Sequence, residues 1–155
     1  LEATRKVFTG DGWFISGDRG YLDKDGFLFI TGRSKNVIVG PSGENIYPET
    51  IEARLLESIY VEEALVYMTE GQLVARIFPN YSYIESIEGD RAEGAVARAI
   101  NEILEEVRRE VNTRLPAFAR ISRVIEQSTP FVKTPTNKIK RGEYVPGYLN
   151  DDRNK

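Results

Sequence analysis

One stretch limits what this chain can fold into more than any other. Ala92, Val96, Ala99, Ile100, Ile103, Leu104, Val107 and Val111 recur at helical spacing, and Pro116 closes the run. The spacing predicts a helix from about Asp90 to Arg114 with an apolar stripe that must lie on a surface. Asp90 followed by Glu93 resembles a capping box at its start. Glu105→Arg109 and Glu110→Arg114 are favourably oriented pairs on the other side. The surface for the stripe is supplied by two β-prone runs, about Val61–Met68 and Leu73–Pro79, joined at Gly71.

The rest of the chain fits around that pair. Arg19–Leu22 and Phe27–Ile30 flank Asp23-Lys-Asp-Gly26, and Asp-Gly between β-prone runs predicts a hairpin turn. A polar crossing, 32–36, leads to a second strand pair, about Asn36–Val39 and Glu44–Tyr47, around Gly40-Pro-Ser-Gly43. Pro48 suits a first helical position, with Glu49 and Glu52 near the positive end of the dipole and Ile51, Leu55, Leu56 and Ile59 as the stripe. Asn80–Gly89 reads as a polar, tyrosine-bearing loop, 120–126 as a strand, and the tail from Gln127 as a Thr-, Pro- and Lys-rich loop. Leu1, Thr4 and Phe8 would suit the end of a helix. The expected fold is α+β: N-terminal β-hairpins, then a small sheet of about three strands packed with two or three helices. Phe14, Tyr21, Phe27 and Phe29 give the first hairpin its own aromatic face.

Composition removes several chemistries. The chain has no cysteine and no histidine, which excludes disulfides, thiolate nucleophiles, zinc–thiolate sites and histidine-based triads. Catalysis would fall to carboxylates, Lys, Arg or backbone dipoles, and no metal site is expected. No apolar run approaches the ~18–20 residues of a membrane span. A net charge of −3 gives no general pull toward nucleic acid. Position 1 is Leu and the single methionine is Met68, so the expectation is a chain that was processed or cut from something larger.

Four places carry chemistry. Asp18, behind Gly17 and at the edge of a strand, is placed to accept two ribose hydroxyls or to cap a turn. Arg33 offers a fork for phosphate or ribose oxygens, or is a solvated linker charge. Gly40–Gly43 is a tight loop whose backbone amides suit a phosphate or a pantetheine chain, or is an ordinary turn. It has neither P-loop spacing nor G-x-G-x-x-G. The segment 133–141 holds Lys133, Lys138, Lys140 and Arg141 with no acid. A lysine on such a loop can meet developing negative charge, or the segment is a solvated basic tail or a patch for nucleic acid, the last of which usually needs a wider basic surface or stacking aromatics.

The order of these signals is more telling than any of them. Phe14-Ile-Ser-Gly-Asp18, Gly26-Phe-Leu-Phe-Ile-Thr-Gly-Arg33-Ser-Lys35, Gly43-Glu-Asn-Ile-Tyr-Pro48-Glu49 with Ile51-Glu52, and Thr134-Pro-Thr-Asn-Lys138 with Arg141 follow in sequence. The series closely resembles the C-terminal part of the AMP-forming acyl-CoA synthetases, the superfamily that also holds peptide-synthetase adenylation domains and beetle luciferases. It covers nearly the whole chain.

That resemblance implies an enzyme that activates a carboxylate with ATP to an acyl-adenylate and then passes the acyl group to CoA. It implies ATP with Mg2+, held mainly by a large N-terminal domain of the same polypeptide, and CoA as cosubstrate. Residues 1–33 would be the last segment of that large domain, and 34–155 the mobile C-terminal domain that alternates between two poses. Asp18 would bind the ribose hydroxyls, Arg33 the ribose and phosphate side, and Lys138 the charge formed during adenylation. Lys35 matches the hinge. Gly40, Ser42, Gly43 and Glu44 would form the CoA-side loop. Where the family usually has Gly before the lysine, this chain has Asn137, a residue that tolerates left-handed backbone. The run Val111-Asn-x-x-Leu115-Pro-Ala-Phe118-x-x-Ile121 with Thr129-Pro-Phe131 looks most like the long-chain fatty acid branch. The expectation is a cytoplasmic ligase fragment, inactive alone, whose parent takes fatty acid, ATP and CoA, binds no nucleic acid and allows peripheral membrane association. The alternative is a non-enzymatic nucleotide-binding or regulatory module of the same fold.

Overall fold

Two hairpins lead the chain in the computed structural model, which describes residues 7–88 and 93–148. Strands β1 (Asp18–Leu22) and β2 (Leu28–Arg33) pair antiparallel, with a bulge between Arg19 and Gly20. The Asp23 carboxylate closes the turn by accepting the Asp25 and Phe27 amides, both at 2.9 Å. A 3-10 turn (Ser34–Asn36) follows, then the two-residue ladder β3 (Ile38–Val39) with β4 (Asn45–Ile46). Helix α1 (Pro48–Leu55) leads into β5 (Val61–Thr69) and β6 (Gln72–Pro79), joined by a turn at Glu70 and Gly71. Helices α2 (Tyr81–Glu88) and α3 (Glu93–Thr113) carry the chain over to β7 (Arg123–Glu126).

Strands β5, β6 and β7 form one sheet in that order, the first pair antiparallel and the second parallel. Alternation sends Ala64 and Val66 with Leu73, Ala75 and Ile77 toward the helices. Those residues pack with Ile51 and Leu55 of α1 and with Ile100, Leu104, Val107 and Val111 of α3. Leu65, Tyr67, Val74 and Phe78 point the other way, where Phe131 and the partly buried Ile139, Tyr144 and Val145 cover them. A strand covered on both faces needs an unbroken apolar run, and 64–68 (Ala-Leu-Val-Tyr-Met) is one. Among the described residues no helix is long and apolar enough to cross a membrane.

The architecture is the expected α+β one, with local corrections. Residues 81–88, read as loop, are helical. Asn80 accepts the Tyr83 amide through its side chain and the Ile84 amide through its carbonyl, and Ile84 is fully buried. Tyr81 donates to Glu126 Oε1 at 2.5 Å, and burial, reinforced by that carboxylate, raises its phenol well above the ordinary value. Helix α1 ends at Leu55, so Leu56 and Ile59 lie beyond it and are exposed. Strand β2 runs on to Arg33, and Asn36 belongs to the 3-10 turn rather than to a strand. Strand β7 starts at Arg123, not Arg120, because Asn112 grips Ile121 at both its amide (2.8 Å) and its carbonyl (2.9 Å). Glu110 pairs with Arg114 as expected, but Glu105 pairs with Arg108; Arg109 instead donates to the Glu105 carbonyl. The capping residue Asp90 and the segment 1–6 lie outside the described residues.

Candidate functional site

Asp18 and Arg33 are register partners at the open end of the first hairpin. Arg33 Nε donates to Asp18 Oδ1 at 3.0 Å, and both side chains are partly exposed. Gly32, beside Arg33, has φ 152°, and a Cβ there would stand 2.7 Å from Glu49 Oε2. The positive φ favours glycine there, and the Glu49 carboxylate occupies the space a side chain would take. Thr50 Oγ1 adds a long contact to the Thr31 carbonyl, at 3.5 Å.

Lys138 comes to the same place from far along the chain. A bridge between Lys133 and Ile139 closes a short hairpin. Within it the Thr134 amide donates to the Lys138 carbonyl (2.8 Å), the Asn137 amide to the Thr134 carbonyl (2.9 Å), and the Lys138 amide to Thr134 Oγ1 (3.2 Å). Asn137 takes φ 60°, the left-handed geometry expected of it. The loop is therefore closed by its own bonds, and the exposed Lys138 side chain stands near its tip.

A cleft of about 540 Å³ is lined by Asp18, Thr31, Arg33, Glu49, Thr50 and Lys138, among others. That volume lies within the usual range for small-molecule sites. A neighbouring cleft of about 750 Å³ shares Arg33, Glu49 and Lys138 and adds Lys35, Asn36, Lys140 and Arg141. The walls of the two clefts carry both signs: Arg33, Lys35, Lys138 and Lys140 face them together with Asp18, Glu49, Glu57 and Glu143. The cations suit an anion whose sugar hydroxyls reach Asp18.

Lys35 sits in the 3-10 turn, between extended residues Arg33 and Val37. Its neighbour Asn36 is clamped: its side-chain amide donates to Glu49 Oε1 at 2.5 Å, and Tyr148 Oη donates to its carbonyl oxygen at 3.1 Å. The loop Gly40–Glu44 lines neither cleft. Nor are its amides free, as the sequence suggests. The Gly40 amide donates to the Glu44 carbonyl (2.8 Å), Gly43 to Gly40 (3.0 Å), and Ser42 to Glu44 Oε2 (3.2 Å). A ligand on these amides has to displace the Glu44 carboxylate or use the outer face of the turn.

Three glutamates matter more than their positions in the sequence suggest. Glu52, read as a helix-dipole charge, instead accepts Arg141 Nη2 on both oxygens, at 2.6 and 2.7 Å, and the Val66 amide at 2.7 Å. Arg141 Nη1 completes the knot on the Val66 carbonyl at 3.0 Å. Burial raises the Glu52 carboxyl above its ordinary range despite the opposing pull of Arg141. Glu49, one turn earlier, keeps one buried oxygen without a hydrogen-bond partner at the edge of the cleft. Glu63, on β5, accepts the Phe131 amide at 2.8 Å and pairs with Lys133 at 2.5 Å. The spacing Glu49-x-x-Glu52 was the available signal for a shared face; nothing local marks Glu63.

Residues 35–151 match the family model described as the AMP-binding enzyme C-terminal domain. Over 98 residues the chain is 40% identical to the 2-succinylbenzoate–CoA ligase of Geobacillus kaustophilus, covering 63% of this chain and 19% of that protein. Over 100 residues it is 34% identical to a long-chain-fatty-acid–CoA ligase of Gallus gallus, covering 64% and 13%. Among solved structures, the O-succinylbenzoate coenzyme A synthetase of Bacillus subtilis in complex with ATP and magnesium aligns with TM-score 0.65 at 25% identity, over 92% of this chain and 26% of that one. The chain spans less than a fifth of the length of these two curated relatives.

Proposed function

The chain belongs to the AMP-binding enzyme C-terminal domain family, and from that premise we propose that it is the lysine-bearing end of an ATP-dependent, AMP-forming acyl-CoA ligase. In this reading residues 1–33 finish the large domain and 34–155 form the mobile one, turning at Lys35. The observation that carries the reading is the shared cleft: Asp18, Arg33 and Lys138, distant in sequence, line one cavity.

The chemistry assigned to them is adenylation. A substrate carboxylate oxygen attacks the α-phosphorus of ATP, a carboxylate–phosphorus bond forms, and pyrophosphate leaves. Asp18 accepts the ribose hydroxyls and fixes the nucleotide. Arg33, already turned toward Asp18, faces the ribose and α-phosphate. Lys138 meets the negative charge that gathers on the carboxylate and α-phosphate oxygens, an interaction strongest at the transition state. In the second half-reaction the CoA thiol attacks the acyl carbonyl and AMP leaves. We assign the Gly40–Glu44 loop to that step, and its distance from the cleft suits a pose built for the first. Among the described residues no group of three or more carboxylates is placed to hold a metal. On the family resemblance, Mg2+ is assigned to the ATP phosphates and the large domain.

For the acid we propose a long-chain fatty acid, on the likeness of the 111–131 segment and of the Gallus gallus relative. Of the residues that carry this likeness, Phe118 is exposed, while Val111, Leu115, Ile121 and Phe131 are buried in the core. The buried ones set packing, and the acyl pocket is assigned to the large domain. The test uses the full-length enzyme with palmitate, ATP and CoA. The reading expects palmitoyl-CoA, AMP and pyrophosphate, and no turnover by the 155-residue chain alone. Release of ADP overturns it. Faster turnover of 2-succinylbenzoate replaces the acid and keeps the reaction.

A further inference from the structure

The reading above makes the placement of Lys138 decisive, and two carboxylates that take no part in the chemistry lie at the feet of its loop. Glu63 is only 11% exposed in its side chain, and both its oxygens are committed to the upstream foot: Oε2 to the Phe131 amide and Oε1 to Lys133 Nζ. Glu52 holds the downstream foot through Arg141, whose guanidinium is tied at once to both Glu52 oxygens and to the Val66 carbonyl. The Phe131 and Tyr144 rings, 4.8 Å apart and edge to face, close the loop from behind. The Val132 amide donates to Tyr144 Oη at 2.8 Å.

Placing charged pairs in a shielded layer is a poor way to gain stability, because desolvation offsets much of the attraction, and apolar side chains of similar size do as well. What an ion pair with several directed hydrogen bonds does supply is a fixed position. The two pairs flank one five-residue turn: Glu63 of β5 holds the Phe131 amide and the Lys133 side chain, and Glu52 of α1 holds the Arg141 side chain. A lysine that must meet charge in a transition state is sensitive to displacements of about 1 Å, which cost on the order of a hundredfold in rate. We propose that Glu63 and Glu52 are positioning residues that set where Lys138 stands in the cleft. The proposal rests on the adenylation role assigned to Lys138.

The test has two arms. In the full-length enzyme, fatty-acid-driven ATP–pyrophosphate exchange is measured for Glu63→Gln, Lys138→Ala and the double variant, with Glu52→Gln in parallel. Glutamine keeps the shape and an acceptor for the Phe131 amide but loses the charge facing Lys133. The expected result is a roughly tenfold fall in the exchange kcat for Glu63→Gln with the ATP KM held within about twofold. In the Lys138→Ala background the same substitution should cost less than about twofold, since no lysine remains to be positioned. An equal loss in both backgrounds, or no loss in either, overturns the proposal. Normal exchange by Lys138→Ala alone sinks the functional reading instead, and the second arm then decides this one. Hydrogen exchange on the 155-residue chain should show the Asn137 and Lys138 amides exchanging about tenfold faster in Glu63→Gln, with the Val66 amide of β5 unchanged. Unchanged loop protection overturns the positioning role whatever the activity shows.

Discussion

Phe29 and Leu65 are both large apolar residues in the middle of antiparallel strands, yet Phe29 is 46% exposed and Leu65 is 0%. The difference is what lies over each strand. Leu65 faces Phe131 and the C-terminal segment, with helices on the opposite face of its sheet. The first hairpin has its contact with α1 at one end and a stacked Tyr21–Phe29 pair, 5.3 Å between centroids, but among the described residues no second layer covers it. Among the described residues every buried hydrophobic side chain of the core lies at Ile46 or later, while Trp13, Phe14, Leu22, Phe27 and Leu28 stay exposed. Large apolar side chains exposed on one hairpin in this number are the usual mark of a surface meant to be covered. The lesson is that stability and chemistry are divided: the later region holds itself together, and the earlier one supplies Asp18 and Arg33 to a cleft the later region completes.

The comparison breaks most readily in the core. Leu104 on α3 is 2% exposed, and Leu104→Ala should cost about 2–5 kcal/mol in urea unfolding. Leu28→Ala, on the hairpin, should stay within about 0.5 kcal/mol. Equal costs would erase the division. Arg141→Ala should come next, at about 3 kcal/mol, because it strands the Glu52 carboxylate in a shielded place. It also sharpens a pH effect. Burial already raises Glu52 against the pull of Arg141, and without that pull the rise grows. The folded state then holds a proton the unfolded chain has released. The stability contribution is therefore full below the unfolded pKa and lost as pH climbs through the folded one. Unfolding curves from acid to neutral pH should fall more steeply with pH in Arg141→Ala than in the parent. A shallower slope contradicts the burial argument.

Asn137 offers a finer cut. With φ at 60°, Asn137→Ala should cost about 1 kcal/mol, and Asn137→Gly should stay within about 0.5 kcal/mol of the parent. Removing the first hairpin altogether should also have only a small effect. A chain beginning at residue 34 should keep its thermal transition within about 5 °C, and loss of cooperative unfolding would show that the hairpin belongs to the core.

Sequence reading found what periodicity and turn chemistry encode. Asp23–Gly26, the stripe of α3, the runs of β5 and β6 and the left-handed Asn137 were all legible because each is decided within a few residues. Helix α2 was not, since Tyr, Ser and Glu dominate it and its one fully buried anchor, Ile84, gives no period. Among the site residues, Asp18, Arg33 and Lys138 share a cleft. What sequence could not show is how that cleft is built: Glu52 meets Arg141 and Glu63 meets Lys133 across long stretches of chain. The Gly40–Glu44 amides looked available because their acceptors, the Gly40 and Glu44 carbonyls and the Glu44 carboxylate, come into reach only once the turn folds.

In the proposed function the cleft serves the first half-reaction. The most direct measurement separates the two halves in the full-length enzyme carrying Lys138→Ala. Fatty-acid-driven ATP–pyrophosphate exchange should fall by about a hundredfold or more, about 2.7 kcal/mol. Thioester formation from preformed acyl-adenylate and CoA should remain within about twofold of the parent. An equal fall in both halves, or undiminished exchange, would contradict the placement of Lys138 at the adenylation step.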